Sequence, residues 1–138
     1  MKIVYQGIPG SYSEACAQKN YPGVETIACK TFDECFEKAS KDNNVRALIP
    51  ESNKTTGNIG VEYLIFRYKL NIYAEHFFPI NHHLMAIKNA TINDIKDVYS
   101  HAQALSQSSS FIKKYNLIEN VRADTAGSAK FVSESKSK

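Results

Sequence analysis

Lys2–Tyr21, KIVYQGIPGSYSEACAQKNY, reads as a strand, a glycine turn and a helix in one short run. KIVYQG is a β-rich apolar segment halted at Gly7, and SYSEACAQKNY sets its apolar and small residues at helical spacing. Ser11 and Glu14 fit the S-x-x-E box, in which the hydroxyl takes an orphan helical N–H and the acid reaches back to the cap. The pattern then repeats. VETIACK is a second strand, and Thr31 with Glu34 forms a second box opening TFDECFEKASK, whose Phe32, Cys35, Phe36 and Ala39 share one face. Strands alternating with helices predict an α/β fold with a largely parallel sheet covered on both faces.

Working outward, VRALIP is a buried-strand candidate ended by Pro50, and ESNKTTGNIG is a polar loop of turn formers. VEYLIFRYKL reads as a helix. NIYAEHFFPINHHLMAI carries two strand-like runs parted by Pro79, and a lobe boundary belongs there. TINDIKDV predicts a short helix with Thr91 as cap and Asp94 in its first turn, followed by the strand DVYSH. HAQALSQSSSFIKKY is one helix by the spacing of Ala104, Leu105, Phe111 and Ile112, NVRAD is a strand, and TAGSAKFVSES opens the last helix. No closing strand follows SESKSK, so a second lobe is expected to be left incomplete.

Composition excludes several classes. At 138 residues, with 43% hydrophobic and 22% charged residues, the chain suits a soluble globular body. No run approaches the roughly 18 consecutive apolar residues of a membrane span, and MKIVYQGIPG lacks a signal-peptide core, which predicts a cytoplasmic protein. The net charge of +3 and scattered lysines give no nucleic-acid surface. Cys16, Cys29 and Cys35 are odd in number and lack CxxC spacing, so reduced packing residues are expected rather than disulfides. Cys35 with His76, His82, His83 or His101 as base or co-ligand is the reactive alternative, but no His pair has zinc-like spacing with a Cys pair.

Five of the six glycines lie in three loops: Gly7 and Gly10, Gly57 and Gly60, and Gly127. Each loop has two readings, a plain tight turn or a close backbone approach to a carboxylate or phosphate at a helix N-terminus. The hydroxyls and amides interleaved with them (Ser11, Ser13, Asn53, Thr55, Thr56, Ser100, Gln103, Thr125) favour the anion. GIPG is neither a Walker loop nor GxGxxG, so nucleotide binding is not indicated. His101, at a strand end opening a helix, reads as a cap or as a catalytic group. His82 and His83 sit in a strand-like run where one faces each way.

Together these residues carry a resemblance to the prephenate dehydratases. YQGIPGSYSEACA is similar to that family's opening aromatic-x-Gly-x-x-Gly-[Ser/Ala/Thr]-[Tyr/Phe]-Ser, and LIPESNKTTGNI to its Pro-Ile-Glu-Asn-Ser-x-x-Gly loop. PINHHLM resembles its Pro-Ile-x-His-x-Leu strand, SHAQAL its Ser-His-Pro-Gln-Ala-Leu, and DTAGSA its Asp-Thr-Ala turn, all in family order. Departures stand at Glu51-Ser52-Asn53-Lys54, which keeps only the Asn of Ile-Glu-Asn-Ser, and at Ala102, where the family has Pro. The family's Thr-Arg-Phe, whose Thr is the leading candidate for the acid that protonates the departing hydroxyl, occurs nowhere in the 138 residues.

The resemblance implies a two-lobed, type 2 periplasmic-binding-protein-like fold, with lobe 1 over about 1–77 and lobe 2 over about 78–138. It implies loss of water and CO2 from prephenate without metal or cofactor, and a homo-oligomer at full length. Substrate walls are then expected from Ser11, Tyr12, Ser13 and Asn53 in one lobe, and from Ser100, His101, Gln103, Thr125 and the Ala126 backbone in the other. Thr125 as a mere N-cap and Gln103 as a solvated first-turn residue are the structural alternatives. At the level of the chain, a catalytically inactive fragment or a small-dicarboxylate binding module of the same fold is the competing reading.

Overall fold

The computed structural model describes residues 1–54 and 57–135. Chain contacts divide it into two compact units, Met1–Pro79 and Ile80 onward.

The first unit runs β1 (Lys2–Gln6), α1 (Tyr12–Asn20), β2 (Glu25–Cys29), α2 (Phe32–Lys41) and β3 (Val45–Leu48), then a small hairpin of β4 (Ser52–Asn53) and β5 (Gly57–Asn58), then α3 (Glu62–Tyr68). The sheet is parallel in the order β2-β1-β3, with Val4 beside Ile27 on one side and Ala47 on the other. Because β1 is central, its apolar run is buried on both faces: Ile3, Val4 and Tyr5 are at most 1% exposed. Alternation sends Val4 to the α2 side, where it packs with Cys29, Cys35 and Val45. Tyr5 turns to the α1 side and donates to Glu14. A second cluster, Phe36, Val61 and Leu64, seats α3 on α2, and Arg67 and Tyr68 both reach Asp33.

The second unit runs through a 3-10 turn (Ile92–Asp94), β6 (Asp97–Ser100), α4 (Ala102–Gln107), α5 (Ser109–Lys114), β7 (Ile118–Val121) and α6 (Thr125–Glu134). β6 and β7 are parallel, Val98 opposite Glu119. Val98 packs on one face with Leu105, Ile112 and Leu117, while Tyr99 meets Phe131 of α6 edge-on at 5.2 Å on the other.

Several elements differ from the sequence reading. NIYAEHFFPINHHLMAI forms no strand: β propensity reflects fit to a pleated, half-buried surface, and Ile72, Tyr73 and Phe77 stand 75–90% exposed with no neighbouring strand among the described residues to complete a ladder. His82 and His83 are therefore not split between two faces of a strand; both are exposed, and His82 meets the Gln107 side chain at 2.6 Å. HAQALSQSSSFIKKY is two helices, broken at Ser108 within the serine run, where hydroxyls compete for backbone partners. The strand read at NVRAD lies earlier, at Ile118–Val121. Thr55 and Thr56 fall outside the described residues.

Candidate anion-binding site

In the first unit the expected residues gather where β1 hands over to α1. Gly7 and Gly10 have φ of +127° and +89°, a conformation that side chains rarely adopt, so glycine is required for this turn. Ser11 is the N-cap of α1, its hydroxyl accepting from the Glu14 amide at 3.4 Å. Tyr12 and Ser13 follow as the first helical residues, with the Tyr12 ring edge-on to Phe78 at 6.2 Å. The capping box is shifted by one residue from its sequence reading. The Glu14 carboxylate accepts from the amide of Gly10, not of Ser11, at 2.7 Å, and from the Thr26 hydroxyl at 3.1 Å. The second box does the same, with Glu34 accepting from Lys30 at 2.8 Å.

These bonds set the local electrostatics. The Gly10 amide, then Thr26 and Tyr5, hold the Glu14 carboxyl below its ordinary range. Burial first, and then the Glu14 charge, push the Tyr5 phenol up to about 12. Glu14 thus ties the glycine loop to β1 and β2, and it takes up the Gly10 amide that a ligand anion would otherwise find. Asn53 lies apart in sequence, on β4 opposite Gly57 of β5.

In the second unit Ser100 closes β6 and is only 8% exposed, its hydroxyl 3.4 Å from that of Thr125. Thr125 is the first residue of α6, not its cap. That role belongs to Asp124, whose carboxylate accepts from the Gly127 amide. The amides of Thr125 and Ala126 have no acceptor inside the helix, since an α-helix leaves its first turn of N–H groups unsatisfied. His101 is the cap of α4, its Nδ1 accepting from the Gln103 amide at 3.3 Å, and Gln103 itself is exposed in the first turn. Ser100, Thr125 and Ala126 therefore come together at one strand end, with His101 next to Ser100 in the chain. Hydroxyls and amides at a helix N-terminus suit a carboxylate.

Sequence reasoning passed over Asp124 and Ser128, the latter 2% exposed and donating to the Asp124 carbonyl at 2.7 Å. The spacing from Asp124 to the amide at Gly127 was the available signal. Cys35 lies at 0% exposure in the core, where burial first and then neighbouring Cys29 raise its thiol far above the ordinary range, which removes it as a nucleophile. Among the described residues no three His, Cys, Asp or Glu side chains gather into a metal-ligating group.

A family model described as prephenate dehydratase matches residues 3–138. Arogenate dehydratase 2 of Petunia hybrida is 38% identical over 133 residues, 96% of this chain and 34% of the relative. Among solved structures, the quorum quenching acylase GqqA superposes with a TM-score of 0.84 at 29% identity, over 96% of this chain and 49% of its own. The prephenate dehydratase of Staphylococcus aureus superposes with a TM-score of 0.80 at 22% identity, over 97% and 52%. The shared architecture is the periplasmic-binding-protein-like α/β fold. The chain spans about a third of the length of the plant enzyme and about half of those solved chains. By the match across nearly its whole length, the chain belongs to the prephenate dehydratase family.

Proposed function

We propose that this chain supplies substrate-holding walls of a dehydratase acting on prephenate, or on its amino analogue arogenate, in phenylalanine biosynthesis. The carrying observation is the Ser100–Thr125 hydroxyl pair at the α6 N-terminus, an uncharged carboxylate cradle. Conversion of prephenate to phenylpyruvate takes up one proton at the departing hydroxyl and releases water and CO2, and the aromatic ring formed supplies the driving force. The protein's work is positioning and proton donation. Hydroxyls and helix amides hold the carboxylates without so positive a field that CO2 loss is opposed. Ser11, Tyr12, Ser13 and Asn53 of the first unit and Ser100, His101, Gln103, Thr125 and the Ala126 amide of the second are each assigned to substrate binding. The acid is assigned to a group outside these residues, since no Thr-Arg-Phe occurs among them. Three free, buried cysteines support a reducing, cytoplasmic setting.

Calorimetric titration with prephenate tests this reading, together with an assay for phenylpyruvate. Binding is expected, weakened about tenfold by Thr125→Val as one charge-assisted hydrogen bond is lost. Absence of binding would overturn it. Binding with turnover assigns the acid to this chain, and binding without turnover favours the non-catalytic module.

A further inference from the structure

Phe78, the last residue but one of the first unit, is held on α1 by two side chains of that helix. Its ring meets the Tyr12 ring edge-on at 6.2 Å, and the Lys19 ammonium stands 5.5 Å from its centroid. Tyr12 and Lys19 lie two helical turns apart in α1, so both project from one face. Two residues earlier, His76 is fixed at the far end of the same helix. Its Nε2 lies 2.8 Å from the hydroxyl of Tyr21, the C-cap, and the two rings meet edge-on at 5.3 Å. Burial alternates to match: His76 and Phe78 are half-buried, and Phe77 between them is 90% exposed. That is the alternation of an extended run with one side on α1.

The core grips α1 through two small side chains, Cys16 and Ala17. Neither belongs to the first turn. Tyr12, half-buried at the first helical position beside the Gly7–Gly10 loop, takes the angle of its ring from a neighbour outside the helix, and the aromatic neighbour there is Phe78. Ring pairs are angular, because the positive edge of one ring seeks the negative face of the other, so Phe78 fixes orientation as well as place. Phe78 is itself fixed by the Lys19 cation over its ring and by the His76–Tyr21 contact two residues back.

We propose that Phe78 is a positioning residue for Tyr12: it sets the Tyr12 side chain beside the glycine loop and through it strengthens substrate binding, while Lys19 and His76 keep Phe78 in place. That Tyr12 touches a substrate rests on the dehydratase function proposed above. That Phe78 sets the Tyr12 ring does not, so the two are read by separate measurements.

The first measurement is nuclear magnetic resonance of the chain with labelled tyrosine and phenylalanine rings, the Tyr12 signal being identified by its loss in Tyr12→Phe. A nuclear Overhauser effect between the Tyr12 and Phe78 rings is expected in the unmodified chain. Phe78→Leu, a half-buried change that keeps an apolar side chain, is expected to shift the Tyr12 signal, and Phe78→Tyr, which keeps the ring, to restore it. An absent Overhauser effect, or a Tyr12 signal indifferent to Phe78→Leu, would overturn the proposal whether or not prephenate binds. The second measurement is calorimetric titration with prephenate. Phe78→Leu is expected to weaken binding about fivefold and Phe78→Tyr to leave it near the parent value. In a Tyr12→Leu background, Phe78→Leu should cost nothing further. Binding untouched by Phe78→Leu, or an equal loss with and without the Tyr12 ring, would count against positioning through Tyr12. A parent chain that binds no prephenate, with a Tyr12 signal that still follows Phe78, supports the positioning and removes only the substrate reading.

Discussion

Three donors converge on the Glu14 carboxylate: the Gly10 amide, the Thr26 hydroxyl and the Tyr5 phenol. The first two join the loop to β2, and the third ties both to the central strand. Replacement by Gln keeps an acceptor and removes the charge, so Glu14→Gln is expected to lower stability by about 1 kcal/mol at neutral pH. The carboxyl is held below its ordinary value of 4.5 in the folded state, so its contribution is full above that value and is lost as pH falls through the lowered one. Urea denaturation across an acid series should therefore show wild type and Glu14→Gln converging at low pH. A constant difference at all pH values would assign the loss to shape instead of charge. The cysteines give a second test at this scale. With Cys16, Cys29 and Cys35 all buried, a thiol-specific reagent is expected to label all three only after denaturation, and rapid labelling of native Cys35 would contradict the core assignment.

At the scale of elements, α6 turns on the pairing of Asp124 with Gly127. A methyl group on Gly127 would lie 2.8 Å from a carboxylate oxygen of Asp124, so alanine there displaces the cap that begins the helix. Losing the cap costs about 1 kcal/mol, and exchanging glycine for alanine inside a helix returns about the same. Gly127→Ala is thus expected to be close to neutral in thermal unfolding, and Asp124→Ala to destabilise by about 1 kcal/mol. In the double variant the alanine gain appears without further cap loss, so it should recover most of the stability of the parent. Additive losses in that cycle would refute the cap account. The same balance of local terms explains what was legible here. Caps at Ser11, Thr31 and Thr91 were readable because a hydroxyl and an acid at fixed spacing act within one turn. The break at Ser108 was not, because it depends on which carbonyls the Ser108 amide finds, those of Ala104 and Leu105.

Across the whole molecule, large apolar side chains remain in water. Phe66 and Phe77 are 82% and 90% exposed, and both belong to the first unit. Such surface binds amphiphilic dyes, so fluorescence of an anilinonaphthalene probe is expected to rise with the native chain and to fall with Phe66→Ser and Phe77→Ser. The melting temperature should change little, as surface substitutions stay within about 0.5 kcal/mol. A large loss of melting temperature would show instead that these rings are packed. The candidate site follows the same division of scale. Its helix-opening residues were legible in the glycine-hydroxyl loops. The contact of Ser100 with Thr125 was not, because it joins two chain segments brought together by the parallel pairing of β6 and β7.

The sequence by itself determined the alternation of strand and helix, the caps at Ser11, Thr31 and Thr91, and the glycine turn at Gly7 and Gly10, because each rests on hydrogen bonds and backbone angles within a few residues. It also carried the family motifs in order. Only the tertiary structure decided that NIYAEHFFPINHHLMAI would form no strand, since a strand exists through its neighbour and this run finds no strand to pair with among the described residues. The tertiary structure likewise made β1 a buried central strand and, among the described residues, paired β6 with β7 alone. The two strands read alike as short apolar segments; what separates them is β3, which covers β1 on its second side and has no counterpart beside β6 among the described residues.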